Sequence, residues 1–159
     1  MRKYLEPAAG VVLAVVVYAV LGRLSPVLVL VLNPFAWVVI YFGLTRQEAF
    51  GAVAGSVCGL LQDSLSLGVF GVGGLSKTLM GFAAGYVSRK INVAPVLRNL
   101  VFVFILALGE LAIWKGLVFF LFGNRPTTGH GWALLQPVAT ALAVVVFVRL
   151  RNRVRKGGA

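Results

Sequence analysis

The chain has 159 residues, of which 60% are Ala, Val, Ile, Leu, Met, Phe, Trp, Tyr or Cys and only 12% are charged. An average soluble domain carries about 25% charged residues, and so few charges cannot cover the surface of a water-soluble globule of this size. The composition argues against a soluble enzyme, a nucleic-acid binder and a disordered tail, and for an all-α polytopic membrane protein.

Read in chain order, the apolar runs predict six transmembrane helices at about residues 7–22, 24–44, 47–65, 68–88, 99–122 and 132–150. Spans of about 20 residues then account for most of the chain, which reads as a single six-helix transmembrane domain. The first run follows Arg2 and Lys3. It could pass for a signal peptide, but no small-residue cleavage site follows it. The second run opens on Ser25-Pro26, an N-cap residue followed by proline at the first helical position. Asn33-Pro34 interrupts its middle, because Pro34 has no N–H to donate and disfavours helix at Asn33. A kink tolerated by neighbouring helices is the simpler reading, and a break serving a binding site is the alternative. The fifth run is the longest and is expected to tilt.

The excess of 15 Lys+Arg over 4 Asp+Glu, a formal charge of +11, would suggest nucleic acid on a soluble protein. Here the basic residues fall mostly in short gaps between apolar runs. With the N-terminus in the cytoplasm, Arg2, Lys3, Arg46, Arg89, Lys90, Arg98 and the five basic residues from Arg149 to Lys156 lie inside. Only Arg23 and Arg125 lie outside, which is a strong positive-inside bias. Both ends are then cytoplasmic and the span number is even. The C-terminal basic string is explained by stop-transfer and by binding of membrane lipids rather than RNA. Tyr4, Trp37, Tyr41, Tyr86 and Trp132 are expected as interfacial anchors.

Gly51, Gly55 and Gly59 repeat every four residues on the third helix, and Gly81 and Gly85 repeat that spacing on the fourth. Small residues at this spacing let helix backbones approach closely. These faces predict a tight hairpin of the third and fourth helices, or a partner's helix docked on one of them.

Charges inside spans cost about 2.5–3.5 kcal/mol or more unless paired. Lys77 is 11 residues from Ser88, and Glu110 is 11 residues from Asn99, so both lie about 16 Å deep from the inner face. Asp63 is 16 residues from Gln47, and Lys115 is 16 residues from Asn99, which puts both near 24 Å. Two ion pairs are expected, Lys77–Glu110 near the midplane and Asp63–Lys115 near the outer face. Alternatively, Asp63 caps the fourth helix through the amides of Ser66 to Gly68.

Nothing in the sequence reads as catalytic. Asp63 and Glu110 differ by about 8 Å in depth, too far for a carboxyl dyad that shares a proton. His130, the one histidine, has no acidic neighbours and makes a poor metal site. The single Cys58 lies in an apolar run, and the glycine string of residues 68–74 lacks the Gly-Lys-Ser/Thr of a phosphate-binding loop. No cofactor is expected.

The stretch Gly59-Leu60-Leu61-Gln62-Asp63-Ser64-Leu65-Ser66-Leu67-Gly68-Val69-Phe70-Gly71 resembles the central signature of the rod shape-determining MreD family. There a helix ends in Gly-Leu-Leu-x-Asp, followed by a short Ser/Gly turn, Leu-Gly and a small-residue helix. Gly85-Tyr86 resembles the pair near which that later helix ends. The likeness covers about residues 51–90; Lys77 and Val72-Gly73-Gly74 depart from the usual pattern.

The resemblance implies a non-enzymatic scaffold in the bacterial cytoplasmic membrane. Its partner would be an MreC-type protein with one span, a periplasmic coiled coil and a β domain. Both would belong to the cell-elongation machinery with the MreB filament, a RodA-type glycosyltransferase and a penicillin-binding transpeptidase. On this reading Asp63, Gly68 and Gly71 shape an outer turn, and the glycine faces meet the partner.

By analogy, MreD-like chains are also similar in architecture to the six-helix substrate-binding subunits of energy-coupling-factor vitamin transporters. That alternative predicts an outward pocket, for which Asn33, Arg125, His130, Trp132 and Gln136 are sparse candidates. It also needs a small-residue docking motif on the first helix, where Gly10 to Ala14 is a weak match.

Overall fold

The structure is a computed structural model; it describes the backbone of residues 2–66, 69–90, 96–123 and 135–157, and side chains over 7–66, 69–90, 98–123 and 135–146. Among the described residues every regular element is a helix: α1 (Arg2–Leu24), α2 (Pro26–Val31), α3 (Pro34–Thr45), α4 (Glu48–Ser66), α5 (Val72–Lys90), α6 (Val96–Phe122) and α7 (Gln136–Gly157). Gly68, Arg125, His130 and Trp132 lie outside the described residues.

Three stretches, Pro7–Leu24, Pro26–Thr45 and Arg98–Phe122, are long and apolar enough to cross a membrane, which suggests a multi-pass membrane protein. Two of the other expected spans, the third and fourth, are less apolar. The 19-residue helices α4 and α5 are each about 28 Å long, but glycines, hydroxyls and charges dilute their hydropathy. Among the described side chains, α7 is apolar over Gln136–Val146. The large apolar side chains of α1 and α6 point outward, as Val12, Val16, Val20, Ile105 and Phe119 do, and suit a lipid surface rather than water.

The second apolar run is broken in two. Leu32 ends α2, and Asn33 caps α3 by accepting from the Ala36 amide N–H at 3.3 Å, with Pro34 at the first helical position. This turns a tolerated kink into two separate helices. The short α2 has no buried residue, while α3 is the centre of the fold. Phe35, Ala36, Val39 and Ile40 on α3 are fully buried, together with Ala14 of α1, Cys58 of α4, Met80 of α5, Val103 of α6 and Val144 of α7. Thus α3 packs against α1, α4, α5 and α7.

The most extensive packing is between α4 and α5. A Cβ added at Gly51 would come within 3.0 Å of the Gly81 carbonyl, one at Gly55 within 3.0 Å of the Lys77 carbonyl, and one at Gly59 within 3.0 Å of Gly73. Gly81 meets the Gly51 backbone in return, and Gly85 meets Glu48. The two glycine faces are therefore consumed by each other. This is the hairpin branch of the sequence expectation; a partner's helix cannot seat on Gly51, Gly55, Gly59, Gly81 or Gly85 without opening the fold. At the opposite end from the turn, Arg89 of α5 pairs with Glu48 of α4 across the same seam.

Candidate functional site

Between the ends of α1, α4, α6 and α7 lies a cavity of about 660 Å³. Its wall draws on Tyr18 and Gly22 late in α1, Pro26, Val29 and Leu30 in α2, and Asn33 at the break. The last turns of α4 contribute Gln62, Asp63, Leu65 and Ser66, α6 contributes Glu110, Leu111, Trp114 and Val118, and α7 its first residue, Gln136.

Lys77 of α5 and Glu110 of α6 meet as an ion pair, Nζ donating to Oε1, with side chains only 2% and 4% exposed. Equal depth on adjacent helices suffices for this pairing, because α5 and α6 pack together. Glu110 Oε2 has no hydrogen-bond donor among the described residues, nor has Gln62 Oε1. Both residues line the cavity.

Asp63 does not pair with Lys115. Its Oδ2 accepts instead from the amide N–H groups of Gly71 (2.8 Å) and Gly74 (3.2 Å). It thereby satisfies two donors at the start of α5, where four backbone N–H groups lack intrahelical partners and the helix dipole favours an anion. This is the capping branch of the sequence expectation, with α5 starting at Val72 and the cap bonded to Gly71 and Gly74; Leu67 and Gly68 lie outside the described residues. Gly71 enters the helix at φ +96, in the region that favours glycine. A side chain at Gly73 would strike the Asp63 carboxylate. Lys115 makes no ion pair among the described residues. Its expected pairing fails because α4 and α6 do not lie side by side, so a shared depth does not bring the two together.

Of the pocket candidates under the importer alternative, Asn33 and Gln136 line this cavity while 4% and 8% exposed, and Arg125, His130 and Trp132 lie outside the described residues. The sequence reading missed Gln62, Tyr18 and Trp114 as wall residues. Gln62 carries a usable signal: it is a polar side chain one position before Asp63, on the turn of α4 that faces inward. Tyr18 and Trp114 offer no such signal, since aromatic residues near span ends are ordinary.

The Lys77–Glu110 pair beside unpaired acceptors makes the cavity floor polar, while Val29, Leu30, Leu111 and Val118 make its sides apolar. That combination suits holding a small amphipathic group rather than performing proton transfer between paired carboxylates. No family model, curated protein or solved structure matches the chain.

Proposed function

We propose that this chain is a non-enzymatic scaffold of the MreD type, with six spans and both ends cytoplasmic, in the cytoplasmic membrane of a bacterium. It binds the single span of an MreC-type partner and through it the cell-elongation machinery that builds peptidoglycan. The observation that carries the reading is the turn between α4 and α5. Gly59, Asp63 and Gly71, on which the resemblance rests, each have a physical task there: close approach, capping and a left-handed turn.

A scaffold of this kind needs a surface for a partner's helix. The α4–α5 glycines are occupied, whereas Gly109 and Gly116 on α6 have nothing within 4 Å. They are seven residues apart, two turns along one face, with Ala112 exposed between them. This face lets a second backbone approach closely.

The test is a mild-detergent pull-down of the tagged chain from its native host, with each co-purifying protein identified. A single-span coiled-coil partner is expected, and its yield should drop when Gly116 is replaced by Leu while the chain still inserts. Wild-type yield from Gly116→Leu removes α6 as the face. Recovery of two ATPases with a large membrane coupling subunit replaces the scaffold by the importer reading, which the outer cavity favours.

A further inference from the structure

We propose that the cavity is a receiving site for an organic ammonium group, a ligand that donates N–H bonds and carries positive charge. This inference does not rest on the scaffold reading. It starts from Glu110, a residue of the cavity wall whose side chain is 4% exposed and whose Oε1 is taken by Lys77, while Oε2 is buried without a donor among the described residues. Gln62 Oε1, on the wall contributed by α4, is a second acceptor in the same condition. Buried acceptors demand donors, so the ligand class is one that donates.

Charge points the same way. The wall holds two carboxylates, Asp63 and Glu110, against one lysine, and that lysine is already committed to Glu110. Among the described residues of the wall, an anion would meet the carboxylates with no uncommitted cation to offset them. Tyr18 and Trp114 in the wall are aromatic residues, the class that attracts ammonium groups. The volume of about 660 Å³ falls in the range of small-molecule pockets and far exceeds a bare metal ion. The apolar sides formed by Val29, Leu30 and Val118 accept the ligand's hydrocarbon part.

Two sources present this chemistry: an aminophospholipid headgroup and a free soluble amine. The full chain is placed in nanodiscs of phosphatidylethanolamine with phosphatidylglycerol, or of phosphatidylcholine with phosphatidylglycerol, and native mass spectrometry reads retained lipid. In the phosphatidylcholine discs, phenethylammonium and tetramethylammonium are titrated against tryptophan fluorescence. Retention of one phosphatidylethanolamine identifies the lipid source, and saturable binding of phenethylammonium the soluble one.

Glu110→Gln should weaken binding about tenfold or more, the cost of one charge-assisted hydrogen bond. Because that substitution also disturbs the ion pair, Gln62→Leu provides an independent reading and should weaken binding about fivefold. Equal binding of tetramethylammonium, which has no N–H, would overturn the proposal. So would preference for phosphatidylglycerol, an unchanged affinity in Gln62→Leu, or no amine binding in either arm. None of these outcomes bears on whether the single-span partner co-purifies, so the two readings stand or fall separately.

Discussion

Lys77 and Glu110 are 33 residues apart in the chain and form one buried ion pair that ties α5 to α6 inside the fold. Neither charge has water to fall back on, so each is tolerable because the other is there. Removing one partner of a buried pair typically costs about 3–5 kcal/mol, while replacing both by apolar groups is often close to neutral. Lys77→Met and Glu110→Leu should therefore each lower the unfolding midpoint in detergent by more than the double variant does. The charge swap of Lys77→Glu with Glu110→Lys should recover much of what Lys77→Glu loses. A double variant as unstable as the sum of the singles would contradict the pairing.

Asp63 is worth its hydrogen bonds to the Gly71 and Gly74 amides and nothing to Lys115. Bonds to a charged acceptor contribute about 1.5–3 kcal/mol. Asp63→Ala should destabilise by that order, measured by thermal unfolding in detergent, and Lys115→Leu should be neutral or mildly stabilising. Equal losses from the two substitutions would restore the ion pair that the geometry denies.

Gly55→Leu tests the hairpin. A side chain there meets the Lys77 carbonyl and Thr78 Cα, and backbone cannot move aside as a flexible side chain can. The variant should fail to give a monodisperse species on size exclusion, whereas Gly109→Leu, in open space, should elute like the wild type. Indistinguishable behaviour of the two variants would mean that α4 and α5 separate easily.

At Gly71 the backbone has φ +96 and the space around it is open. Gly71→Ala should cost about 1–2 kcal/mol from the left-handed conformation alone, with no steric clash. The cost should add to that of Asp63→Ala by less than the full sum, since both act on the same turn. The double variant's unfolding midpoint reads this directly.

Depth along a helix is legible in a sequence, because each residue rises a fixed distance. The residue counts that set Lys77 and Glu110 level bring them together here, since α5 and α6 are neighbours. The same arithmetic sets Asp63 and Lys115 level and is misleading for them. It carries no information on which helices adjoin, and α4 and α6 do not. The glycine spacing likewise marks close-packing faces without saying what packs on them; the facing backbones of α4 and α5 supply that answer.

By itself, the sequence determined the all-α membrane character, the position of the helix break and the small-residue faces, all of which follow from local composition, proline chemistry and helical period. The tertiary structure alone decided that α3 is the buried centre, that Asn33, Gln62 and Gln136 from three separate segments share one cavity, and that Asp63 turns to backbone amides rather than to a lysine. Those outcomes depend on the lateral order and rotation of helices about their axes. In a chain this apolar, many arrangements bury similar area, and the choice falls to a few close backbone contacts and buried polar pairs.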